Sequence, residues 1–138
     1  MIALFTALIV SAAQPEFRPP PKCWEGAQNE LTHCAAAEFK YAETAMATQI
    51  QRTEQVYQRF DGDNKSLNLS HVGALRSGQS AWRAFRDGHC SLFNDGDGSL
   101  APMLWFICQR DLTRERTKQL KELTLNPATG QPFYEDQK

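Results

Sequence analysis

Long membrane-spanning runs are missing from this sequence. The N-terminal apolar stretch, Met1 to Val10, is only ten residues long, whereas a helix needs roughly 20 to cross a bilayer. A charge excess of one sign is missing as well: 15 Lys plus Arg stand against 16 Asp plus Glu, for a formal net charge of -1. No overall field therefore draws the chain to nucleic acid or to an anionic membrane. No segment alternates apolar and polar residues over a useful strand length, and no internal repeat is evident, which turns the expectation away from sheet folds. The G-x-S-x-G elbow of serine hydrolases is absent, and His33, His71 and His89 have no triad context.

Calcium loops fail on spacing. Counting from Asp95, the sixth position is Leu100 where an EF-hand needs Gly and the twelfth is Phe106 where it needs Glu; counting from Asp61, the fifth is Lys65. Zinc is disfavoured by geometry. His33-Cys34 and His89-Cys90 supply a suitable ligand set, but neighbours on a helix point about 100° apart and do not aim at one ion. No catalytic residue, metal or cofactor is expected.

What is present begins with the features of export. Ser11 and Ala13 follow the short apolar run and fit a signal-peptidase site with Gln14 as the new N-terminus. Residues 1–13 are read as a signal peptide, which places the protein in the periplasm or outside the cell. No cysteine stands at the cleavage point, so no lipid or membrane anchor is expected. Residues 14–22 carry Pro15, Pro19, Pro20 and Pro21 and read as an extended linker. The four cysteines, Cys23, Cys34, Cys90 and Cys108, agree with an oxidising compartment. Three pairings are open; the expectation is the local one, Cys23 with Cys34 and Cys90 with Cys108, worth about 3 kcal/mol each in the chain-entropy picture.

Between the linker and a polar tail at 126–138, residues 23–125 have helical periodicity. Leu31, Ala35, Phe39, Ala42, Met46, Ile50, Thr53, Tyr57 and Phe60 recur at spacings of three and four, and Asp61 to Ser66 supplies turn residues that end this helix. A second helix starts near Ser70 as N-cap, carries Val72, Leu75, Gln79, Trp82 and Phe85 on one stripe, and stops at Gly88. A third follows Ser99, tolerates Pro102 in its first turn, and presents Leu104, Ile107, Cys108, Leu112, Leu120 and Leu123. The fold class is all-α: a small antiparallel bundle of about three helices stapled by two disulfides.

The densest cluster of chemistry-bearing residues runs from Gln79 to Cys90. Gln79, Trp82 and Arg86 share a helix face, so Arg86 is expected to lie against the indole or to reach a carboxylate on the first helix. Asp87, at a helix end where the dipole disfavours it, needs a cation or a loop amide. The preferred reading is a knot that fixes helix packing; a ligand-binding patch is the alternative. Glu25, Glu30, Glu38, Glu43 and Glu54 bias the first helix acidic and Arg110, Arg114, Arg116, Lys118 and Lys121 make the third basic, which reads mostly as solvated surface.

Several pieces in order resemble one family. Cys23-Trp24-Glu25-Gly26-Ala27-Gln28 leads to Leu31-Thr32-His33-Cys34. Gln79-Ser80-Ala81-Trp82-Arg83-Ala84-Phe85-Arg86-Asp87 follows with Cys90, then Gly98-Ser99-Leu100-Ala101-Pro102-Met103, and Cys108 with Leu112-Thr113-Arg114-Glu115-Arg116. Together they are similar to the lysozyme inhibitor LprI-like N-terminal domain family, from Cys23 to about Leu123. The resemblance implies an exported, all-helical, disulfide-linked domain, in a family with at least one inhibitor of lysozyme. Lysozyme or another envelope protein is the expected partner; a structural or accessory periplasmic role is the alternative. The oligomeric state is not fixed by these residues.

Overall fold

The computed structural model describes residues 23–68, 70–94 and 98–134; the expected signal peptide and linker lie outside them. Three helices account for most of what is described: α1 (Gln28–Asp63), α2 (His71–Ser91) and α3 (Ala101–Glu122), with a short 3-10 turn at Lys65–Leu67.

Helix α1 is 36 residues long, or about 54 Å at 1.5 Å per residue. It starts three residues before Leu31 because the Glu30 carboxylate accepts the Ala27 N–H at 2.8 Å, satisfying a donor outside the first turn. It runs three residues past Phe60, through residues whose turn chemistry suggested an earlier stop. Asn64 closes it, its side-chain amide and its backbone N–H both donating to the Phe60 carbonyl at 2.8 and 3.2 Å.

The caps of α2 and α3 differ from expectation. Ser70 occupies the N-cap of α2 but makes no side-chain cap bond. The Asp61 carboxylate, in the last turn of α1, instead accepts the N–H groups of His71 and Val72, each at 3.1 Å. A carboxylate suits these donors better than a hydroxyl, since its charge also meets the positive end of the helix dipole. For α3 the N-cap is Leu100, without a side-chain bond, and Pro102 sits in the first turn where its missing N–H costs nothing.

The helices run up, down and up. Contacts of α2 with α1 are antiparallel, from Glu43 with Arg86 through Glu54 with Arg76 to Asp61 with His71. Those of α1 with α3 are parallel, from Gln28 near Met103 to Tyr57, whose hydroxyl donates to the Leu123 carbonyl at 3.0 Å. Two local disulfides, Cys23–Cys34 and Cys90–Cys108, hold Cα atoms 5.8 and 5.7 Å apart, the expected pairing. Because α1 and α3 start, and α2 finishes, at the same end, both disulfides lie there.

The core is slim. Met46, Leu75 and Leu120 form its centre, flanked by Ile50, Tyr57 and Trp82, while Ala35 and Ala42 allow α1 to approach its neighbours closely. Much of the remaining interior is polar: Glu38, Thr53, Gln79, Arg86, Gln109 and Thr113 are all buried. Phe85, Leu104 and Leu123, expected on the apolar stripes, are exposed. The reason for Phe85 is rotational. Leu75, Gln79, Trp82, Arg86 and Cys90 recur at spacings of three and four, and the Cys90 disulfide pins that stripe inward, so Phe85 is turned about 100° away.

The segment read as a polar tail folds back on the bundle through Tyr134. Gly130, in the left-handed region at φ 67°, closes a turn by donating to the Asn126 carbonyl at 2.8 Å. Phe133 then packs edge-on to Phe60, and the Tyr134 hydroxyl donates to Asp63 at 3.0 Å.

Candidate functional site

The candidate cluster is assembled at the waist of the bundle. Arg86, 5% exposed, sends one guanidinium nitrogen to Glu43 on α1 and to the Thr113 hydroxyl on α3, the latter at 2.9 Å. Its Nε donates to Asp87 at 3.0 Å. The guanidinium carbon stands 5.1 Å from the centre of the Trp82 ring and 5.3 Å from that of Phe39, distances at which a cation is attracted to a ring face. Gln79 completes the arrangement: its carbonyl oxygen accepts from Arg116 Nε at 3.1 Å and its amide points at Met46 Sδ at 3.5 Å. Arg116 stands 5.9 Å from the Trp82 ring centre, and burial lowers its pKa from the ordinary arginine value.

Gln79, Trp82, Arg86 and Asp87 thus belong to one continuous set of contacts, and Arg86 meets both the indole and a first-helix carboxylate. Among the four, Arg86 and Asp87 bond directly, while Gln79 is tied to Met46 and Arg116, and Arg86 also to Glu43 and Thr113.

A second ion pair was not legible in the sequence. Glu38, grouped there with solvated acids, is buried and pairs with Arg110, with Arg114 3.9 Å away. Desolvation works against the charged form of Arg110, but bonds to Asp111 and Glu38 outweigh it and raise its pKa. The available signal was the spacing of Glu38 from Ala35 and Ala42, three residues before it and four after, which puts it on the small-residue face of α1 that a neighbour approaches. Glu54 likewise binds Arg76 across helices, at 2.6 Å to Nε.

At the opposite end from the disulfides, Tyr57, His71, Leu75, Gly78, Arg116 and Leu123 line an open groove of about 260 Å³. The His71 ring lies 2.6 Å from Asp61 through Nδ1 and stacks on Tyr57 with ring centres 5.7 Å apart. Desolvation acts to raise the Asp61 carboxyl, yet the bonds from Val72 and His71 prevail and hold it below the ordinary aspartate value. Burial raises the Tyr57 hydroxyl.

Among the described residues no group of three or more His, Cys, Asp or Glu side chains is placed to hold a metal ion, and no helix is long and apolar enough to cross a membrane. All four cysteines are in disulfides, which removes the thiolates a His–Cys zinc site would use.

Fold and geometry together define a small all-α domain, stapled by two disulfides and tied across its waist by arginine. The profile of the lysozyme inhibitor LprI family matches residues 23–120, and the chain belongs to that family. An uncharacterized protein of Rhizobium meliloti (strain 1021) is 32% identical over 127 residues, covering 88% of this chain and 91% of the relative. No solved structure matches the chain significantly.

Proposed function

We propose that the protein is an exported, non-catalytic binding domain that inhibits lysozyme-type muramidases by covering their active cleft. In this reading residues 1–13 are a signal peptide, residues 14–22 a linker, and the disulfide-bonded domain from Cys23 onward acts in the periplasm or outside the cell. The observation that carries it is the family match from residue 23 to 120, which takes in both disulfides and nearly all three helices. Two disulfides in so small a domain support an oxidising compartment. The Gln79, Trp82, Arg86 and Asp87 contacts fit a positioning role: they hold the helices in register so that the surface keeps one shape, as a rigid inhibitor requires.

The test is lysis of a bacterial cell-wall suspension by a panel of lysozymes, with and without the purified oxidised protein. Dose-dependent protection that disappears on disulfide reduction is expected. Undiminished lysis by every lysozyme at micromolar protein overturns the reading and leaves an accessory envelope role.

A further inference from the structure

The molecule is nearly neutral overall, but its apolar and its basic side chains are unevenly placed along its axis. Eight large apolar side chains are exposed among the described residues. Six of them, Trp24, Phe85, Leu92, Phe93, Leu100 and Leu104, lie within eight residues along the chain of a disulfide cysteine. Leu92, at 72% exposed, protrudes most. The remaining two, Leu67 and Leu123, belong to the far end.

Basic residues are unevenly placed in the same sense. The sequence contains no lysine or arginine from Cys23 to Phe39, nor from Asp87 to Gln109. Glu25 and Glu30 are exposed in these stretches, and Asp87, also exposed, is paired with Arg86. Toward the other end Arg52, Arg59, Lys65, Arg76, Lys118 and Lys121 are exposed, interspersed with the exposed acids Asp63, Glu115 and Glu122. Glu38, Glu43 and Glu54 are engaged by arginines of α2 and α3 and are not available as a docking face.

We propose that the disulfide end of the bundle is the surface that docks on a strongly basic lysozyme. Exposed aromatic and aliphatic side chains supply the anchors that dominate binding energy, and the surrounding carboxylates steer a cationic partner into contact. The same charge disfavours other occupants: an anionic membrane repels this end, and so does a second copy of it. The two disulfides hold the helix ends and turns that carry the anchors, so little ordering is needed on binding. The inference rests on the inhibitor reading and adds to it the face that is used.

Three variants of the oxidised full chain test it by titration against a strongly basic lysozyme, after thermal melts establish that each folds like the parent. Glu25→Lys combined with Leu92→Lys reverses charge and removes an anchor, and binding weakens by about tenfold or more. Phe85→Ser leaves the charge intact and weakens binding by a smaller factor. Leu67→Lys, at the far end, stays within about twofold of the parent. The parent's association rate falls with added salt, and that of the Glu25/Leu92 variant falls less. If the parent inhibits and the Glu25/Leu92 variant binds equally well, the docking face lies elsewhere while the inhibitor reading stands. If the parent neither binds nor inhibits, both fall. If the exposed end proves to be a self-association surface, with concentration-dependent dimers abolished by Leu92→Lys, the docking proposal is overturned in favour of that role.

Discussion

Arg86 on α2 binds Glu43 on α1 and Thr113 on α3, so a single buried guanidinium ties the three helices together. Glu43→Ala leaves that cation without its main counter-charge. Removing one partner of a buried pair costs about 3 to 5 kcal/mol, and the partial exposure of Glu43 places the loss near the lower figure. Replacing both residues by leucine costs less than the sum of the single changes, because no uncompensated charge remains. A double-mutant cycle in urea measures the coupling.

Trp82 contacts the core with one part of its ring and carries Arg86 and Arg116 against it. Since the indole is only half-buried, Trp82→Ala costs about 3 kcal/mol, the low end for removal of a large aromatic. Trp82→Phe keeps a ring for both guanidinium groups and costs less. Chemical denaturation followed by far-ultraviolet circular dichroism separates the two.

Asp61 makes the acid limb of stability predictable in sign. Its pKa is lowered in the folded state by bonds from Val72 and His71. Its contribution is therefore fully present above the ordinary aspartate value of about 4 and is lost as pH falls through the lower folded pKa. Asp61→Ala melts below the parent at neutral pH, and the difference closes in acid. A difference that persists unchanged to low pH contradicts the capping role.

Gln109 is fully buried with neither side-chain nitrogen nor oxygen hydrogen-bonded to any of the described residues. Burying such a group unsatisfied costs about 1 to 3 kcal/mol. Gln109→Met preserves length and removes the polar atoms, so its thermal midpoint rises above the parent's. A lower midpoint contradicts this account.

The fold was legible because its strongest signals are local. The i, i+3, i+4 recurrence from Leu31 to Phe60 lies in a stretch without Gly or Pro, and it marks α1 whatever packs beside it. The Gln79, Trp82 and Arg86 stripe was legible for the same reason. Features that depend on pairing between helices were not. Glu38 cannot be distinguished from a solvated glutamate until Arg110 is brought opposite it. Asp61 reads as a turn residue until α2 doubles back to place His71 and Val72 on its carboxylate. Phe85 looks like core until the neighbouring Arg86 proves to be the inward residue. The lack of basic residues at one end was hidden in a net charge near zero, because it appears only when the start of α1, the end of α2 and the start of α3 are gathered together.

The central claim, that this domain covers a muramidase cleft, is tested most directly by steady-state hydrolysis of a soluble oligosaccharide substrate by a basic lysozyme in the presence of the oxidised protein. Cleft coverage predicts an apparent KM that rises with protein concentration while kcat is unchanged. Initial rates that stay the same with the protein in large molar excess contradict the claim.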